Sequence, residues 1–222
     1  MKKKLILMGI AGALVVTTMI GGSLALVRTS SSGQATSDVS TKDITIAIYE
    51  DGKEAVSDNI IVDTKVPGEE IPKKLTIKNT LDENTGYDTY VRVVIYKTWG
   101  EMTPSETGDS DVFIKKSSLD QLKQIDLKFG DSTNWYFISN DPAKEETVLY
   151  YKLPLKPGES TEPFLQSVKI SETLNNEYAG KSILLEMDVD AVQKNDGVNA
   201  ISSAWGVTVT TDKDGMITSI AE

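Results

Sequence analysis

The residues of this chain with the clearest capacity for chemistry are three carboxylates in one alternating stretch. Glu186, Asp188 and Asp190 stand at every second position between Ser182 and Gln193. Alternate residues of a strand lie on one face, so this spacing predicts a strand with an acidic face. Clustered carboxylate oxygens can bind a divalent cation, and like charges on one face otherwise need water between them. We interpret the stretch as a solvated strand face, with weak calcium binding as the alternative.

A second acidic group lies near the C-terminus. Asp212, Asp214 and Gly215 match the middle of a calcium-binding loop. Thr210 occupies the position of the first ligand, however, and Ala221 that of the twelfth, where such a loop has carboxylates. The segment is therefore predicted to be a hairpin turn between strands at 207–211 and 216–220.

The full sequence contains no histidine and no cysteine. Without them the chain cannot form a Ser-His-Asp triad, a cysteine nucleophile, a disulfide or a thiolate metal site. It has no glycine-rich phosphate loop, and its 33 acidic residues single out no pair of glycosidase carboxylates. We expect a protein that is not an enzyme and that uses no cofactor and no metal.

The charge balance restricts the partners as well. The chain has 23 basic and 33 acidic residues and a net charge of −10, and three of the basic residues are Lys2, Lys3 and Lys4. A surface this acidic repels nucleic acid and anionic lipid, so nucleic acid is not an expected partner.

The first 25 residues have the pattern of a secretory signal peptide. The three lysines precede an apolar run at 5–20, and Ser23-Leu24-Ala25 is a small-x-small site, with cleavage expected after Ala25. The alternative is an uncleaved anchor, since the apolar stretch approaches the roughly 20 residues that a spanning helix needs. We predict that the protein is secreted, and that only an uncleaved leader would hold it at a membrane.

Residues 26–42 separate the leader from the first predicted strand. From Arg28 to Thr41 they are rich in serine and threonine and offer almost nothing to bury. We expect this segment to be flexible in the monomer, serving either as a spacer or as a segment that pairs with another chain.

The remainder, residues 43–222, is predicted to form one all-β domain. The strongest strands are 87–99 and 183–192, and Ile44, Ile46 and Ile48 alternate in the first strand. Short helices are expected at 117–128, where apolar residues recur every three positions, and at 199–205, which would lay a tryptophan across the end of the core. Short strands separated by turns argue for an antiparallel β-sandwich.

Arginine and aromatic side chains offer two further binding possibilities. Arg92 interrupts an apolar strand, and we expect it on the solvent face or paired with a carboxylate rather than on a ligand. Six large aromatics could form a carbohydrate platform, although packing in the core is the preferred interpretation. These residues are Tyr90, Trp99, Trp135, Tyr150, Tyr151 and Trp205.

Several stretches, taken in order, resemble the camelysin/TasA-type family of exported matrix proteins of Gram-positive bacteria. They are Gly21-Gly22-Ser23-Leu24-Ala25-Leu26, the strand 43–51, Val66-Pro67-Gly68-Glu69, Tyr90-Val91-Arg92-Val93, Tyr150-Tyr151-Lys152-Leu153-Pro154-Leu155, Pro157-Gly158-Glu159-Ser160-Thr161, Asp190-Ala191-Val192-Gln193 and Ala204-Trp205-Gly206. Together they extend over most of the chain, and their order makes the set more specific than any single piece.

The resemblance implies a jelly-roll sandwich with a structural role. It implies processing by a dedicated export signal peptidase and assembly into cell-surface or biofilm-matrix fibres, with itself or with related matrix proteins. In such fibres an N-terminal strand of one subunit completes the sheet of the next, which is β-augmentation. Mapped here, the donor lies within 26–48, with Ile44, Ile46 and Ile48 as the expected apolar contacts.

Two alternatives remain open at this point. One is a monomeric extracellular binding module that adheres to glycan or to a host protein. The other is a metallopeptidase, an activity attributed to camelysins, which the missing histidine and cysteine place last.

Overall fold

The structure is a computed structural model that describes residues 26–29, 44–55, 57–63, 66–105, 111–116, 118–139 and 141–221, with backbone alone for 26–29 and Ser139. The predicted signal peptide and its cleavage residue Ala25 lie outside these ranges. Residues 30–43 also lie outside them, so the expected flexibility of the N-terminal segment stays a prediction there. Its first residues are placed in a strand, β1.

The described residues form fourteen strands and one α-helix. In chain order these are β1 (Leu26–Thr29), β2 (Ile46–Glu50), β3 (Lys53–Glu54), β4 (Asn59–Asp63), β5 (Glu70–Asn79), β6 (Thr89–Pro104), β7 (Asp111–Lys115), β8 (Ile125–Phe129), β9 (Trp135–Ser139), β10 (Glu146–Tyr151), β11 (Leu165–Ile170), β12 (Ser182–Gln193), α1 (Gly197–Trp205), β13 (Thr208–Thr211) and β14 (Ile217–Ala221). Short 3₁₀ turns occupy Leu122–Gln124 and Asn176–Tyr178.

The strands form two antiparallel sheets and a hairpin. The large sheet has the order β1-β12-β6-β10-β9, with β4 also paired to β12 and β7 to β6. The smaller sheet has the order β3-β2-β5-β11-β8, and β13 pairs with β14. Every strand pair in the described residues is antiparallel, which confirms the all-β prediction.

The main core lies between the two sheets. Alternate residues of β6 and β12, such as Val93, Ile95 and Leu185, point inward and meet Leu75 and Ile77 of the smaller sheet. Period-two alternation places these side chains on one face, and their burial drives the sheets together. A β-sandwich is therefore the observed architecture, while its jelly-roll connectivity stays a prediction.

A third layer covers part of the outer face of the large sheet. Helix α1 and the β13–β14 hairpin pack on Tyr90, Tyr150 and Val192, which point away from the main core. Trp205 lies in this outer cluster. The prediction that it crosses the end of the main core was wrong, because the chain folds back over the sheet instead.

The helix at 199–205 is confirmed, but the helix expected at 117–128 is wrong. Only a 3₁₀ turn forms there, followed by β8. Ile125 and Leu127 are both buried on one face of β8, and Ile125 pairs with Ile170 of β11. Pairing with the sheet thus overrides a weak helical spacing, since propensity is only a weak prior.

The hairpin at the C-terminus is confirmed, and its turn explains the acidic residues there. The Asp212 carboxylate accepts hydrogen bonds from the backbone N–H groups of Asp214 and Met216, each at 2.9 Å. One Asp212 carboxylate oxygen, Oδ1, therefore holds the turn closed.

Candidate functional site

The edge of β12 that faces away from β6 is the feature of this fold most suited to interaction. Strand β6 pairs with β12 along its whole length, from Ser182 to Gln193. All other partners of β12 must therefore lie on its opposite edge. Strand β4 covers the first part of that edge, from Ser182 to Glu186, and the Met187 N–H donates to the Asp58 carbonyl at 3.0 Å.

Farther along this edge, from Val189 to Val192, the pairing strand in the described ranges is the N-terminal strand β1. Leu26 lies opposite Val192, and Thr29 opposite Val189. An uncovered strand edge exposes backbone N–H and C=O groups that pair readily with another chain. The β12 edge is thus completed by a four-residue strand whose connection to the rest of the domain is residues 30–43.

The outer face beside this edge holds a buried ion pair. Arg92 of β6 lies opposite Asp190 of β12, and its Nε donates to Asp190 Oδ2 at 3.0 Å, with a second contact from Nη2. The Asp190 side chain is only 1% exposed. Glu186 and Asp188 on the same face are exposed, so the predicted solvated face is correct for them and wrong for Asp190.

The C-terminal layer is what buries this pair. The Arg92 guanidinium carbon lies 5.5 Å from the centre of the Trp205 ring, a cation–π distance, and Trp205 packs against Tyr150 with ring centres 5.4 Å apart. The Tyr90 hydroxyl donates to the Gly215 carbonyl at 2.7 Å and ties the hairpin to β6. Burial, and secondarily Asp212, raises the pKa of Tyr90, so it stays a neutral donor.

The predicted donor residues lie elsewhere. Ile44, Ile46 and Ile48 are all buried in the main core, where Ile48 lies opposite Ile77 of β5 in the smaller sheet. They fill the core of their own subunit. Their exchange between subunits stays a prediction, and so does cleavage after Ala25, which falls outside the described ranges.

An open cleft at one end of the large sheet has a volume of about 620 Å³. Glu101 lines it and forms ion pairs with Lys181 and with Lys116, the latter at 3.2 Å. Hydrogen bonds from both lysines lower the pKa of Glu101. Ser182 Oγ donates to Asp63 Oδ1 at 2.9 Å across the same cleft. These groups satisfy one another, so we interpret the cleft as a structural ion-pair network.

Lys97 is a second unusual charge. The residue is 3% exposed, and its Nζ donates to the carbonyls of Ile125 and Pro142 at 2.9 and 2.8 Å. Burial lowers its pKa to about 8, partly offset by Asp126 and Asp141. The ammonium connects β6, β8 and the loop before β10, which is a structural role.

The other binding sites considered from the sequence can be compared with the described residues. The six large aromatics considered as a carbohydrate platform are buried, so they provide no exposed platform. Across the ranges given above, no three acidic side chains are grouped to hold a metal ion, and no helix is long and apolar enough to cross a bilayer.

No family model, curated protein or solved structure matches the chain.

Two features of the β12 edge were missed from the sequence. Strand β1 was missed because Leu26-Val27-Arg28-Thr29 adjoins a Ser/Thr-rich stretch, and only its first two residues are apolar. The burial of Asp190 was missed because it shares its alternation with Glu186 and Asp188. The only indication in the sequence that Asp190 would be buried was the nearby Trp205, which was expected close to the core.

Proposed function

We propose that this protein is a secreted, non-enzymatic subunit of a cell-surface or biofilm-matrix fibre, in which the N-terminal strand of one copy completes the large sheet of the next. The observation that carries the proposal is the position of β1 on the part of the β12 edge that no other strand covers within the described ranges. Membership of the camelysin/TasA-type family is part of the same proposal.

The length of the connection supports exchange between copies. Strand β1 lies in the large sheet and β2 in the smaller one, and packed sheets are about 10 Å apart. Residues 30–43 can span up to about 45–50 Å when extended. This segment can therefore reach the β12 edge of its own subunit or that of a neighbour.

The predicted cleavage site supports the same assignment. Removal of the leader after Ala25 would leave Leu26, the first residue of β1, as the mature N-terminus. The donor strand would then begin at the free end of the chain, where it can enter an edge without threading a loop. Processing by an export signal peptidase would produce the assembly-competent form.

The donor proposed here is β1 rather than the three isoleucines. Ile44, Ile46 and Ile48 are buried in their own core, and withdrawing each side chain would cost about 1.5–3 kcal/mol. Strand β1 is paired to the domain by a single strand neighbour, β12, in the described part of the chain. Release of β1 separates one strand pair and leaves the core side chains of the domain in place, which favours exchange.

The experiment compares a protein beginning at Leu26 with one beginning at Ser30. We expect the first to form fibres visible by electron microscopy and to sediment as a concentration-dependent polymer. The second should remain monomeric with an unchanged circular dichroism spectrum, because only β1 has been removed. Monomeric behaviour of the first protein at all concentrations would contradict the proposal and favour a monomeric binding module.

A further inference from the structure

Two arginine positions flank one buried carboxylate across three adjacent strands. The register of β1 places Arg28 opposite Asp190, and the register of β6 places Arg92 opposite the same aspartate. The Arg92 side chain contacts Asp190 Oδ2 directly. A row of positive, negative and positive residues therefore crosses β1, β12 and β6, and its central charge is buried.

A strand as short as β1 needs something to fix its register. A slip of one residue would turn every side chain to the opposite face, whereas a slip of two keeps each on its own face. On the inward face of this edge the residues are Val189 and Ala191, which differ little in chemistry. The inward face therefore discriminates weakly between registers two residues apart.

The two possible slips meet different obstacles. A slip toward the start of β12 would bring Thr29 opposite Met187, whose N–H already donates to the Asp58 carbonyl. A slip toward the end of β12 would bring Arg28 opposite Val192, which is buried in the apolar outer cluster. Placing an arginine there would remove its charge from water without a partner. The observed register avoids both.

We propose that Asp190 selects the register of the incoming N-terminal strand through Arg28, so that the edge recognises an arginine at the position opposite Asp190. This inference rests on the proposed function in one respect: the proposed function states that the strand comes from another copy. The pairing of Arg28 with Asp190 applies whichever copy supplies the strand. Cross-strand pairs of opposite charge stabilise one register over its neighbours. Arg92 positions Asp190 for this role, because it holds the carboxylate in place from the other side.

The absence of cysteine in the sequence allows a direct test in the protein beginning at Leu26. Thr29→Cys is combined with Val189→Cys to report the observed register, or with Ala191→Cys to report the slip of two. After oxidation, mass spectrometry of the peptides measures each disulfide. We expect the bond to Cys at 189 to exceed the bond to Cys at 191 by at least about threefold.

The decisive variant exchanges two residues without changing composition. Arg28→Ser with Ser30→Arg moves the positive charge two positions along the strand and leaves the rest of the domain untouched. In the observed register an arginine at position 30 would lie opposite Asp188, so the exchange is made in an Asp188→Asn background. The slip of two then restores the opposition to Asp190, so the disulfide preference should invert toward position 191. In an Asp190→Asn background the same exchange should no longer change the preference.

Two results would overturn this proposal. One is an unchanged preference for position 189 after the exchange, and the other is no disulfide at either position. The proposed fibre is tested separately by a gel under non-reducing conditions. Disulfides in the predicted register but within single chains would uphold the role of Asp190 and contradict strand exchange between copies, whereas disulfides between chains would uphold both.

Discussion

Arg92 and Asp190 lie opposite each other on β6 and β12, the two longest of the described strands, and their ion pair is buried beneath Trp205. Removing one partner of a buried pair leaves the other charge without compensation. The pair thus joins the large sheet, the C-terminal layer and the edge that carries the N-terminal strand.

The first prediction concerns the stability of this pair. We expect Arg92→Met to lower the free energy of unfolding by about 3–5 kcal/mol, because it leaves the Asp190 carboxylate in an apolar site. The double variant Arg92→Met with Asp190→Leu should be less destabilised than the sum of the single variants. Urea denaturation followed by circular dichroism measures all three.

An exposed ion pair provides the control for that experiment. Lys156 and Glu159 are 3.8 Å apart with side chains 65% and 53% exposed. Lys156→Met should change the free energy of unfolding by less than about 1 kcal/mol. Equal effects at the buried and the exposed pair would contradict the structural role assigned to Asp190.

The second prediction concerns a glycine at a close backbone approach. A Cβ atom added to Gly130 would lie 1.7 Å from the backbone carbonyl oxygen of Pro163, two residues before β11. We expect Gly130→Ala to cost about 3 kcal/mol or more, because backbone must move. Gly158→Ala is the control: its site has space but a φ of +80°, so about 1–2 kcal/mol is expected. A smaller loss for Gly130→Ala than for the control would refute the close approach.

The third prediction concerns pH and Lys97. Burial penalises the charged form of Lys97 in the folded protein and thereby lowers its pKa to about 8. Below pH 8 the lysine is protonated in both the folded and the unfolded chain, so the penalty is fully expressed. Between about pH 8 and 10.5, the ordinary pKa of a lysine, the folded protein loses the proton before the unfolded chain does. The free energy of unfolding therefore rises with pH in this window.

The measurement compares the parent protein with Lys97→Met by urea denaturation from pH 7 to 10.5. Relative to the variant, the parent should gain about 2–3 kcal/mol across this window. Lys123→Met, at an exposed lysine, is the matched control and should track the parent at every pH. A difference between parent and Lys97→Met that stays constant with pH would show that the lysine is not destabilised by burial.

Much of the sandwich could be predicted from alternation alone. Val93, Ile95, Leu185 and Met187 recur at every second position, and all are buried in the main core as period two requires. The C-terminal hairpin followed from Asp214-Gly215 between two alternating runs. These features are local, so the sequence pattern contains them.

The candidate site could not be predicted in the same way because it depends on long-range contacts. Asp190 differs from Glu186 and Asp188 only in that α1 and the last hairpin fold back over one end of β12. β8 was mistaken for a helix because its partner β11 lies far along the chain. The ion-pair partner of Asp190, Arg92, is 98 residues away in the sequence, so no local pattern links the two.

The central claim is that the β12 edge accepts an N-terminal strand from another copy. The most direct test is fluorescence anisotropy of a labelled peptide covering residues 26–43, titrated with the domain beginning at Ile44. We predict saturable binding that is abolished by Val27→Pro, which removes a backbone donor and bends the strand out of the ladder. No binding, or equal binding of the proline peptide, would contradict the account.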